Sequence, residues 1–180
     1  MPARFLHLSD LHVGARQEAG IEPGLRALIE RAAPELIVAS GDLTHRGRGG
    51  QHDRAAAFLK SLGPPVLAVP GNHDIPLLPP ARLLRPWREF ERHWEATEPV
   101  FSSPGLYVVG LNSVRPWRHQ SGGLRDGQLR RARTLLAEAS EGALRVVVLH
   151  HHLTGAPWRS RKRPVARRGR VLAALVDAGA

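Results

Sequence analysis

The chain has 180 residues, no cysteine and a formal charge of +10. That length suits one α/β domain with a self-sufficient core. The absence of cysteine excludes disulfides and thiolate metal sites, and no apolar run reaches the roughly 20 residues of a membrane span.

The N-terminus, Met1-Pro2-Ala3-Arg4, runs directly into an apolar stretch and lacks the layout of a signal peptide, so a cytoplasmic protein with no membrane partner is expected. Lys60 and Lys162 are the only lysines; arginine carries the rest of the positive charge. A basic surface favours anionic partners. The accompanying Arg, Ala, Gly and Pro bias also reads as genome composition, which leaves nucleic acid an open but not favoured partner.

Taken in order, Arg4-Phe5-Leu6-His7-Leu8-Ser9 reads as the first strand, ending in Asp10-Leu11-His12. Gly24 to Ala33 has helical apolar spacing at Leu25, Leu28 and Ile29. Leu36 to Ser40 is a second buried strand, closed by Gly41-Asp42-Leu43-Thr44-His45-Arg46-Gly47. Gln51 to Leu62 reads as a helix with Ala55, Phe58, Leu59 and Leu62 inward. Pro65 to Pro70 is a third strand, ending in Gly71-Asn72-His73-Asp74.

A proline-rich loop, Pro76 to Pro80, leads to an expected helix from Leu83 to Trp94, whose Trp87, Phe90 and Trp94 read as core rather than as a ligand box. Val100-Phe101 and Leu106 to Leu111 suggest a hairpin around Ser103-Pro104-Gly105, followed by Asn112-Ser113. Asp126 to Ala139 reads as a helix. Ala143 to Leu149 reads as a buried strand ending in His150-His151-His152. Pro157 to Arg170 is a basic loop, read as a solvated surface ahead of a nucleic-acid contact, and Val171 to Ala178 opens a last helix. Alternating strands and helices imply a largely parallel sheet covered on both faces.

Ligands of open α/β sheets lie beyond the carboxyl ends of the strands, and four strands here end in metal-type residues. Asp10 and His12, two apart, would share a side of an extended chain and could meet one ion. His7, on the opposite parity, would be packed or would support a ligand. Asn72 offers an amide oxygen. His73 offers a ligand nitrogen or a proton, and Asp74 could hold that imidazole in one tautomer. Gly71 allows a tight backbone approach. Asp42 could bridge two ions about 3.5–4 Å apart, the spacing that clamps a phosphoryl group. Oxygen and imidazole donors without sulfur suit manganese, iron or zinc. Each motif alone is weak; Asp-x-His is usually a polar loop. All of them at strand ends in one chain point to a metal site.

Together, Asp10-Leu11-His12, Gly41 to Gly47, Gly71-Asn72-His73-Asp74 and His150-His151 resemble the calcineurin-like metallophosphoesterase superfamily. The likeness is greatest to its bacterial cyclic-nucleotide phosphodiesterase-like branch. The resemblance implies a four-layer α/β/β/α sandwich over residues 1–180 and two divalent ions. By the family pattern Asp10 and His12 serve the first ion, Asp42 bridges, and Asn72 and His150 serve the second. His73 is the proton donor or phosphate-stabilising group, oriented by Asp74. His151, His45 and Asn112 would touch substrate or support the ligands, with the choice between His150 and His151 left open.

The implied reaction is hydrolysis of a small phosphodiester by in-line attack of a metal-bound hydroxide. The alternatives are a phosphomonoesterase, a nuclease or a non-catalytic scaffold. Two departures stand out. His152-Leu153 replaces a common proline, and the family's last motif, Gly-His-x-His, is absent. The expectation is therefore a chain truncated at the C-terminus, weakly active, with an exposed sheet edge that could pair copies into a homo-oligomer.

Overall fold

The computed structural model describes residues 3–15, 21–118, 120–154 and 164–180, without the side chain of residue 21. Six strands and six helices follow one another along these residues: β1 (Phe5–Leu8), α1 (Ile21–Ala32), β2 (Leu36–Ala39), α2 (Gly49–Ser61), β3 (Val66–Ala68), α3 (Ala81–Leu84), α4 (Arg88–Glu91), β4 (Val100–Ser102), β5 (Leu106–Gly110), α5 (Asp126–Ala137), β6 (Leu144–Val148) and α6 (Arg168–Val176).

They form two three-stranded sheets rather than one. The first has the order β1-β2-β3, all parallel; the second has the order β4-β5-β6, antiparallel then parallel. Side chains alternate across a strand, and this alternation builds the layers. Leu36 and Val38 of β2 meet Leu106 and Val108 of β5 between the sheets. Ile37 and Ala39 face the other way, onto Ala55 and Leu59 of α2 and Phe90 of α4. Tyr107 and Val109 turn toward Ala132 and Leu136 of α5 and Leu175 of α6. The result is the expected α/β/β/α sandwich. Among the described residues, no helix is long and apolar enough to cross a membrane.

Four expectations are corrected. The helix expected from Leu83 to Trp94 is two short pieces, α3 and α4, with Leu83 and Leu84 exposed at 54% and 75%. Pro86 accounts for the break, because the residue before a proline is driven out of the helical region, and Arg85 stands at φ −143°, ψ 56°. Helix α1 starts at Ile21 rather than Gly24, with Pro23 in the first turn, where a missing N–H costs nothing. Strand β6 is not fully buried: it lies at the outer end of its sheet and Leu144 is 51% exposed. Of the expected basic loop, residues 157–163 lie outside the described residues, and Arg168 to Arg170 already belong to α6.

Candidate metal centre

The loops that follow β1, β2 and β3, and the one after β6, meet at one end of the sandwich. The first two run side by side: Asp10 N–H bonds Gly41 O at 3.1 Å, His12 N–H bonds Asp42 O at 2.9 Å, and Val13 N–H bonds Leu43 O at 2.9 Å. The backbone is not extended there, contrary to the parity argument. Asp10, His12 and Asp42 adopt positive φ of 57°, 48° and 50°, a region that aspartate and histidine enter more readily than most residues. Left-handed turns, not strand alternation, bring their side chains together. His7 is exposed rather than packed, with Nε2 2.7 Å from Ser40 Oγ.

Glycine makes the approach possible. A Cβ on Gly71 would lie 2.1 Å from Asp42 Oδ1 and 2.2 Å from Asp42 N; one on Gly41, at φ +94°, would lie 2.6 Å from Gly71 N and 2.9 Å from His150 Nδ1.

Asp42, 1% exposed, turns its two oxygens to two sets of donors. Oδ2 lies 3.9 Å from His12 Nε2, which is 3.6 Å from Asp10 Oδ1. Oδ1 lies 3.4 Å from His150 Nε2, which is 3.3 Å from Asn72 Oδ1. The ligand atoms of Asp10, Asp42 and His150 lie within 4.8 Å of one another, as do those of His12, His45 and His73.

This donor set fits divalent ions. His150 Nδ1 lies 3.0 Å from the Ser40 carbonyl, which can only accept, so the proton is on Nδ1 and Nε2 presents a lone pair. That lone pair, Asn72 Oδ1 and Asp42 Oδ1 are three acceptors facing one another, an arrangement that a cation relieves. His12 Nδ1 is buried with no hydrogen-bond partner among the described residues. Oxygen and imidazole donors without thiolate match manganese, iron or zinc.

Asp74 does not orient His73. Its carboxylate is fully buried and accepts from Gly71 N at 2.8 Å, Thr44 N at 2.8 Å and Leu43 N at 3.2 Å, with Thr44 Oγ1 at 3.0 Å. Burial pushes its pKa up, and the Gly71 and Thr44 donors oppose that rise. Asp74 laces the second and third loops together. His73 is held instead by the backbone: its Nδ1 is 2.7 Å from the His45 carbonyl, and its N–H donates to Asp42 Oδ1 at 2.8 Å. The His45 ring lies beside His73, 5.9 Å between centroids at 22°, and the His12 ring is 4.8 Å away at 90°. Desolvation, then Arg46, His73 and His12, lower the His45 pKa.

His151 is buried and turns its Nδ1 to Ser113 Oγ at 2.8 Å, so it supports the loop rather than joining the His150 set. Asn112 is drawn away from the centre. Its Oδ1 accepts from Val114 N, its carbonyl from Arg115 and Gln128, and its N–H donates to Glu98. Burial lowers the Arg115 pKa to about 10 in this corner.

A cleft of about 300 Å³ opens beside Asn72 and His73, bounded by His45, Arg46, Ile75, Leu77, Arg82 and Gln120. Sequence reasoning passed over Arg46 and Arg82, and also the Ser40 and His45 carbonyls, which no residue type announces. Arg46 lies within the Gly41–Gly47 motif, so that motif was the available signal.

The family model for calcineurin-like phosphoesterases matches residues 3–176. A probable cyclic nucleotide phosphodiesterase of Synechococcus sp. is 30% identical over 159 residues, 84% of this chain and 58% of that protein. A glycerophosphodiester phosphodiesterase of Enterobacter lignolyticus is 32% identical over 80 residues, 38% of this chain and 28% of that protein. The chain thus spans under two thirds of the length of these curated relatives. A dimetal phosphatase from Danio rerio shares the fold at a TM-score of 0.67 and 17% identity, covering 97% of this chain and 77% of that one.

Proposed function

The chain belongs to the calcineurin-like phosphoesterase family, and from that premise we propose that it is a two-metal phosphodiesterase acting on a small diester such as a cyclic nucleotide. The observation that carries the reading is Asp42, whose two oxygens face two separate donor sets. Asp10 and His12 would hold one ion, Asn72 and His150 the other, with Asp42 between them. The reading extends to manganese, iron or zinc as the ion and to a cytoplasmic setting. When bound, such a pair supplies Lewis-acid stabilisation of phosphoryl oxygens and acidifies water.

The chain's own residues do the rest. The Ser40 carbonyl keeps the His150 proton on Nδ1. The His45 carbonyl accepts the His73 Nδ1–H in the same way, so Nε2 is the ring nitrogen left to act: carrying a second proton, as imidazolium, it would donate to the leaving oxygen or to a phosphoryl oxygen. His73 N–H steadies Asp42 from behind. One relative is named a probable cyclic nucleotide phosphodiesterase and another a glycerophosphodiester phosphodiesterase; both names are of diesterases, which favours a diester over a monoester.

The test is paired. Parent and Asp42→Ala are loaded with Mn²⁺, dialysed and subjected to elemental analysis; the parent should keep metal and the variant should lose both equivalents. The loaded parent should cleave bis(p-nitrophenyl) phosphate faster than p-nitrophenyl phosphate. Metal retention by Asp42→Ala would remove the bridge, and faster monoester cleavage would make the protein a phosphomonoesterase.

A further inference from the structure

The cleft beside the centre has walls that the fold locks together. A Cβ on Gly47, at φ +59°, would fall 2.5 Å from the Ile75 carbonyl oxygen, so these two backbones touch. Thr44 Oγ1 receives the Gly47 N–H at 3.1 Å, and the His45 carbonyl receives His73 Nδ1–H at 2.7 Å. Gln51 Oε1 accepts the Arg46 N–H at 2.9 Å. The Arg46 backbone is therefore fixed at the rim. Its side chain is exposed, and its guanidinium has no hydrogen-bond or ion-pair partner among the described residues.

The charges bounding the cleft have one sign. Arg46 and Arg82 are its charged residues, and no carboxylate lines it among the described residues. Arg82 is 5% exposed and already committed: it donates to the carbonyls of Pro116, Pro76 and Arg118 at 2.7, 3.0 and 3.1 Å. Arg46 is the guanidinium left for an incoming group. Ile75 and Leu77 supply the apolar part of the wall.

We propose that Arg46 is a specificity-determining residue that sorts diesters by the charge of their organic arm. An uncharged arm, such as a nucleoside, lies against Ile75 and Leu77 under the Arg46 guanidinium. An arm ending in ammonium or quaternary ammonium is turned away. Sites that accept such cations present carboxylates or the faces of Trp, Tyr or Phe, and among the described residues this cleft presents none of these. Two like charges ~7 Å apart, in surroundings between water and protein interior, shift binding on the order of 3–10-fold. The inference rests on the diester reading and narrows its substrate class.

The experiment compares p-nitrophenyl phosphorylcholine with p-nitrophenyl 3,3-dimethylbutyl phosphate, two diesters with one leaving group and arms of one shape, differing by a single charge. Mn²⁺-loaded parent, Arg46→Ala and Arg46→Glu are assayed at low ionic strength, where exposed charges are least screened. Bis(p-nitrophenyl) phosphate in the same samples reports whether diester hydrolysis occurs at all. The parent should favour the uncharged arm about 3–10-fold in kcat/KM, Arg46→Ala should lower that ratio, and Arg46→Glu should reverse it. A ratio unchanged across the three proteins overturns the proposal while leaving the diester reading intact. If no diester is cleaved, the diester reading fails by itself. The arm preference is then read as the Kd ratio of phosphocholine and 3,3-dimethylbutyl phosphate by calorimetry, with the same pattern expected across the three proteins and an unchanged ratio again counting against Arg46.

Discussion

At His73 a backbone carbonyl does what a carboxylate was expected to do. The His45 oxygen fixes the His73 tautomer, so removing the His73 ring should leave Asp42, His150 and the ions proposed for them largely undisturbed. His73→Ala should retain metal by elemental analysis and lose roughly 10²–10⁴ in turnover, the usual weight of a positioned proton donor. Normal turnover with normal metal content would take His73 out of the chemistry. Candidate ligands were legible because a metal site needs particular atoms: the sequence pointed to Asp10, His12, Asp42, Asn72 and His150, and the structure places their side chains near one another. Their supports were not. Asp74 looks like an orienting acid in sequence, yet its oxygens are filled by Gly71, Thr44 and Leu43 N–H groups. Asn112 looks like a residue that would touch substrate or support the ligands, and its neighbours spend it elsewhere. Main-chain donors carry no letter in a sequence.

Among elements, the strands were legible because a buried strand needs an unbroken apolar run, as in Leu36 to Ala39 with every residue buried. The apolar runs themselves do not show the partition into two sheets, since they do not say which face meets which; only the resemblance carried it. The joint between β2 and β3 depends on Gly71, where a methyl would press on Asp42 Oδ1 at 2.1 Å. Gly71→Ala should therefore push the two loops apart. Overpacking of this kind costs roughly 1–3 kcal/mol, to be read as a lower urea midpoint, and metal content should fall with it. A variant with parental stability and metal content would mean that the joint is not as tight as described.

At the scale of the molecule, one outer face is under-covered. Strand β6 ends its sheet among the described residues, with Leu144 51% exposed and Val176 of α6 58% exposed. An exposed edge beside apolar side chains invites pairing with another copy. Sedimentation velocity should show association that grows with protein concentration, and Leu144→Lys, which charges the edge, should reduce it. A monomer at all concentrations would contradict the homo-oligomer expectation. Resemblance made the four-layer plan legible from sequence, whereas the exposure of β6 followed only from its position in the strand order.

Three of the proposed ligands, Asp10, His12 and Asp42, occupy left-handed backbone. Non-glycine residues there cost roughly 1–2 kcal/mol each before any local hydrogen bond offsets it. Glycine would fit these positions with less strain and could bind nothing. Selection for folding and selection for chemistry thus pull in opposite directions at the same three positions. A lineage released from phosphoester chemistry would be expected to drift toward glycine or asparagine there, gaining stability as it loses its ions. Keeping aspartate and histidine at left-handed positions thus carries a folding cost that the proposed ion binding would offset.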